Sequence, residues 1–231
     1  TSGNHDSAIR LGYGAGLFRD SIRMVTDLGQ LDLPVLLEGS DGVRAAVYGI
    51  PYLDPDHARV ALAGGGEPLP RSHQAVVGAA CDRIRADLAG RPGVRSVVLA
   101  HAFVAGAEPS DSERSIMVGG VDRVAGTVFH GIDYAALGHL HGPQAPESAD
   151  GSVVRYSGSP LRYSFSEQEH QKVVLLVDVD GVQADRDRVD AAELLEEDRL
   201  ALHHRHRGGR TDVAEAEHGA AVGDHGDRVL L

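Results

Sequence analysis

A layered α/β fold is predicted by three features of the sequence. The clearest helical stretch, Ser72 to Leu88, runs almost directly into a strand-like segment, Val94 to Ala100, and alternation of that kind builds a sheet with helices packed on it. Further short apolar runs at Ile132 to Leu137, Val153 to Tyr156 and Val173 to Val179 read as additional strands. Hydrophobic residues make up 42% of the 231 positions, enough for a real core. Aromatics reach only 4% and Trp is absent, so that core is expected to be Val, Leu, Ala and Ile.

In chain order, Leu11-Gly-Tyr-Gly-Ala-Gly16 has the glycine content of a phosphate-cradling loop. No strand precedes it and no Gly-Lys-Ser/Thr follows, so a connector is the better reading. Gly14 to Gly29 fits either one helix or a short helix followed by a strand at Ile22 to Thr26. Val35 to Leu37 and Val43 to Ile50 flank Asp41-Gly42, a strong turn signal, and predict a hairpin. Leu53 to Pro70 is rich in Pro and Gly and reads as a loop, with His57 and His73 beside it as exposed loop or cap residues. In the helix that follows, Val76, Ala79, Ala80, Ile84 and Leu88 keep a 3.6-residue period, Ser72 offers an N-cap, and Gly90 with Pro92 stops it. Phe103 to Arg114 is polar, and its acidic run Glu108 to Glu113 reads as a solvated loop. Val177-Asp-Val-Asp180 alternates as a strand at a sheet edge does.

Composition bounds the setting. The longest apolar run, Val173 to Val177, is far short of the roughly 20 residues of a membrane span. The lone Cys81 cannot form an internal disulfide and is expected to be a small apolar helix residue in a reducing, cytoplasmic setting. The formal net charge is −12 and Lys172 is the only lysine, which leaves any nucleic-acid contact to local arginines, bound metal or a basic partner.

The chemistry gathers at histidines. Ala135-Ala-Leu-Gly-His-Leu-His-Gly142 ends an apolar run with two imidazoles two residues apart. In extended backbone such side chains point the same way, so His139 and His141 are expected to share a face while Leu140 points into the fold. Gly138 and Gly142 bracket the pair and suit a backbone that passes close to something bound. Gly3-Asn-His-Asp6 and the strand-end His101 add donors of the kind a divalent metal accepts.

Together these stretches resemble the calcineurin-like metallophosphoesterases, and among them the SbcD family of bacterial exonucleases. The carrying motifs are Gly-Asn-His-Asp at 3–6, the strand-end His101, and Gly-His-Leu-His at 138–141. Tyr48-Gly-Ile-Pro-Tyr52, Tyr134 to His139 and Tyr156-Ser-Gly-Ser-Pro-Leu-Arg-Tyr-Ser-Phe165 extend the likeness over about residues 1 to 180. The resemblance implies an α/β/β/α sandwich, incomplete at the N-terminus, over residues 1–181. It implies two divalent metal ions, manganese for preference, with Asn4, His101 and His139 on one and His141 on the other. His5 would contact the scissile phosphate and assist the departing 3′ oxygen, with Asp6 orienting its ring. The family's Asp-x-His and Gly-Asp-x-x-Asp motifs lie upstream of Gly-Asn-His-Asp, and only Thr1 and Ser2 precede Gly3 here. A fragment with an incomplete second metal site, weak or inactive alone, is therefore expected.

The implied activity is that of an ATP-dependent 3′-to-5′ double-strand exonuclease and single-strand endonuclease in DNA repair, recombination and replication. Its implied partners are an SbcC-type coiled-coil ATPase, double- and single-stranded DNA, and a second copy within the complex. Two other readings stay open: a general metallophosphoesterase on small phosphodiesters, and a non-catalytic module that docks on the ATPase. Residues 182–231 change in character. No aromatic follows Phe165, and five of the 13 histidines fall between His203 and His225. One helix at Ala191 to Leu202 fits the pattern; the rest reads as disordered or as the residue of a capping domain, and metal binding by the His tract is the weaker reading.

Overall fold

The computed structural model describes residues 1–19, 22–39, 42–110, 123–148, 151–179, 191–193 and 228–230. They form an α/β protein with a five-stranded mixed, mostly parallel sheet and three helices. The helices are α1 (Ala8–Gly12), α2 (Pro55–Ala61) and α3 (His73–Leu88). The sheet runs in the order β1 (Val35–Glu38), β2 (Arg44–Ile50), β3 (Arg95–His101), β6 (Tyr134–Gly138), β7 (Val153–Tyr156). β1 and β2 are the expected antiparallel hairpin, and every other pairing in this sheet is parallel.

The register explains why the strands stack as they do. Tyr48 pairs with Val98, Val98 with Ala135, and Ala135 with Val154. Two residues further along, Ile50 pairs with Ala100, Ala100 with Leu137, and Leu137 with Tyr156. Because side chains alternate, both rows emerge on the same face, and both belong to the main core together with Val76, Val77, Ala80, Cys81 and Ile84 of α3. The opposite face carries a much smaller cluster, Val97 and Tyr134 closed over by Val177 of β8 (Leu175–Asp178), with Val47, Ala136 and Val153 only partly covered.

α3 begins where expected: Ser72 accepts a hydrogen bond from the Ala75 N–H. The Tyr48 hydroxyl reaches Asp87 near the helix end at 2.7 Å. Cys81 is fully buried, and burial pushes its thiol up to about 12, in line with a packing residue.

Several local expectations change. The Pro-rich stretch 53–70 holds α2, since Asp54 caps it and Pro55 occupies its first turn, where a missing N–H costs nothing. Residues 22–26 form neither helix nor strand. The core contains large aromatics after all: Tyr48, Tyr134, Tyr156 and Phe129 are among its most buried side chains. His57 is exposed on α2, whereas His73 is buried at the start of α3 with its ring 5.8 Å from that of Tyr52. The polar stretch after His101 opens with β4 (Phe103–Val104), paired in parallel with β5 (Arg123–Val124). Residues 111–113 of the acidic run lie outside the described residues. In the distal segment, β9 (Ala191–Glu193) and β10 (Arg228–Leu230) each pair antiparallel with β8. The start of the proposed helix is thus a strand, and 194–202 lie outside the described residues. Among the described residues, no helix is long and apolar enough to cross a membrane.

Candidate metal centre

Ligands of open α/β sheets collect beyond the carboxyl ends of the strands, and the chain brings its donors there. β3 ends on His101 and β6 ends on Gly138, the residue it pairs with. The N-terminal segment is drawn over the same edge by two bonds to the chain at the end of β2: the Thr1 hydroxyl donates to the Ile50 carbonyl and the Tyr52 N–H to the Ser2 carbonyl. On the far side of His101, the buried Tyr156 hydroxyl donates to the Ala102 carbonyl at 2.6 Å and accepts from the Val104 N–H at 2.9 Å. That single phenol holds the chain where it leaves β3.

Residues 3–6 form a tight turn. The Asp6 N–H donates to the Gly3 carbonyl, and the Asp6 carboxylate accepts from the Gly3 N–H at 2.7 Å. Asp6 therefore closes its own loop, a different partner from the His5 ring that the resemblance implies. The turn presents Asn4 to His101, with Oδ1 2.8 Å from Nε2. The approach is close: a Cβ on Gly3 would lie 2.9 Å from the His101 ring, which would then have to shift.

The His101 ring meets the His139 ring edge-on, centroids 5.3 Å apart, and Tyr52 packs against it at 6.0 Å. Burial, reinforced by His139 and His5 and opposed by Asp6, lowers its pKa to about 4. His101 is therefore neutral at neutral pH, the form in which imidazole binds metal.

His139 departs from the expected geometry. β6 stops at Gly138, and His139 adopts φ of 115°, a region disfavoured for any residue with a Cβ and concentrated at functional sites. Extended backbone does not run through the pair, so the shared-face argument for His139 and His141 does not apply. His139 packs against His101 and Phe103. His141 Nδ1 lies 2.7 Å from Oε1 of Glu167, a fully buried carboxylate, and its ring faces Tyr163. Leu140, which separates the two histidines in sequence, is buried as expected.

Does a metal fit? Two ligands at a right angle, each about 2.1 Å from one ion, lie about 3 Å apart; Asn4 and His101 are that close, with the His139 ring beside them. The Asn4 Nδ2 is buried without a hydrogen-bond partner among the described residues, so its amide is not held by the protein on both sides. Against this, among the described residues no group of three His, Cys, Asp or Glu could hold an ion. The fit among the described residues is to one ion, through an amide and two imidazoles.

Sequence reasoning missed Glu167 and Lys172. Their contacts to His141 span 26 and 31 residues, and the one available signal was that Lys172 is the sole lysine. No protein-family model matches the chain.

Proposed function

We propose that this chain is the metal-holding part of a DNA phosphodiesterase of the SbcD kind, acting on double- and single-stranded DNA beside a coiled-coil ATPase of the SbcC type. The observation that carries it is the convergence of Asn4, His101 and His139, from three separate stretches, at the carboxyl edge of parallel strands with His101 kept neutral. The small sheet that lays Val177 over Val97 and Tyr134 supports the two-sheet layering of that family.

A divalent ion such as manganese, held by these three, would supply Lewis acidity toward the phosphoryl oxygens and an activated water. The protein's own part is positioning and proton handling. Asn4 and the His101 imidazole are uncharged donors, so an ion held there would keep its positive potential toward phosphate. His5, exposed beside them, contacts the scissile phosphate and protonates the departing 3′ oxygen. Asp6 fixes the loop that presents both Asn4 and His5. With a net charge of −12, the chain relies on its partner for the basic surface that long DNA contacts need.

A second reading, a non-catalytic module docking on the ATPase, draws on the lack of a three-residue His, Cys, Asp or Glu group among the described residues. Calorimetric titration with manganese, run beside cleavage of an end-labelled duplex, separates the two. One measurable site, abolished in His101→Ala and in His139→Ala, with weak cleavage is the expected result. Two tight sites with full cleavage would show the ligand assignment to be wrong, and no manganese binding would favour the docking module.

A further inference from the structure

The most enclosed charged group in the described chain is Glu167, with no exposed surface. Its Oε1 lies 2.7 Å from His141 Nδ1, while Oε2 accepts from Lys172 Nζ at 2.8 Å and from the Tyr163 N–H at 3.2 Å. The ammonium of Lys172 has three donors and meets three acceptors: Glu167 Oε2, the Ser159 hydroxyl at 2.7 Å and the His141 carbonyl at 2.9 Å. A planar guanidinium could not place donors in those three directions from one point. The Ser159 N–H also donates to the His141 carbonyl, and a Cβ on Gly158 would lie 2.5 Å from that oxygen. His141 is thus gripped at ring and main chain by one loop, residues 158–172.

We propose that Glu167 and Lys172 are positioning residues for His141, the carboxylate selecting its tautomer and the ammonium fixing its backbone. A buried carboxylate is retained only where it is paired and hydrogen-bonded, and Lys172 supplies the pairing. An ionised carboxylate can only accept, so Nδ1 carries the ring proton and the lone pair sits on Nε2. Carboxylates behind metal-binding histidines act in this way. The inference rests on the reading of His141 as a metal ligand, but its first test does not use metal.

Histidine-ring NMR of the whole metal-free chain at mildly alkaline pH, with the His141 signals assigned by their loss in His141→Gln, reads the tautomer directly. The expected wild-type result is proton on Nδ1; a proton on Nε2 would overturn the proposal even if no variant folds. In Glu167→Leu/Lys172→Met, which removes both charges together, the His141 signals should move to the Nε2–H pattern with the amide spectrum otherwise kept. Manganese affinity, where the wild type binds, should fall about 10- to 100-fold. A folded double variant that keeps the Nδ1 tautomer overturns the positioning role. Absence of manganese binding in the wild type instead overturns the metal reading, and leaves the tautomer result to decide this one.

Discussion

Gly3 shows how a single hydrogen can set the geometry of a site. Its missing side chain lets the His101 ring approach the turn that carries Asn4, and a methyl group there would meet that ring at 2.9 Å. The ring can move away, since it is the end of a side chain, so Gly3→Ala should change global stability by no more than about 1 kcal/mol. Donor placement is less forgiving: sites loosened by about 1 Å lose function. On the proposed reading of the site, manganese affinity in Gly3→Ala drops at least about tenfold with the denaturation midpoint nearly unchanged, measured by calorimetry and urea unfolding on the same samples. Equal loss of both would mean that Gly3 serves the fold rather than the site. His139 makes the complementary point. Its φ of 115° gives no sign in the sequence, because Gly or Asn is the usual marker of that conformation and the position holds a histidine.

At the scale of elements, what was legible depended on whether the signal was local. The hairpin β1–β2 could be read from Asp41-Gly42, and α3 from Ser72, its period and Gly90, because caps and turns act within four residues. α2 hid inside a Pro-rich stretch, since the same Asp54-Pro55 pair that marks a turn also starts a helix. The meeting of Asn4, His101 and His139 at one sheet edge was legible from their residue types and strand-end positions, but the backbone turn at His139 was not. The strand ending at Gly138 and the loop reaching back from Glu167 to His141 are decided by tertiary packing that no window of sequence contains. α3 yields a prediction of its own. The Cys81 thiol has its pKa raised from 9.0 to about 12 by burial, so the folded state holds that proton more tightly than the unfolded chain. Its contribution to stability is complete below about pH 9 and declines as the pH rises toward 12. Cys81→Ala should flatten that part of the stability-versus-pH curve, followed by urea unfolding across the alkaline range, and the wild-type thiol should resist alkylation until the protein unfolds.

Over the whole molecule, the sheet is unequally protected. Among the described residues one face is sealed by α3, the other only partly by β8. β1 is an outer strand whose Val35, Leu36 and Leu37 are all exposed. Exposed apolar edges template pairing between chains. Leu36→Lys is expected to reduce concentration-dependent association, measured by light scattering, while shifting unfolding by less than about 0.5 kcal/mol; unchanged association would clear β1 of that role.

The bond between Asn4 and His101 spans 97 residues of sequence, whereas the hairpin and α3 close within a few. Chain entropy makes the longest loops the last to shut, and the N-terminal turn reaches the sheet through the bonds of Thr1, Ser2 and Asn4. The expected order of assembly is therefore sheet first, the Asn4–His101 contact second. On the proposed reading of the site, the docking of residues 1–6 against His101 is the step that completes the donor set.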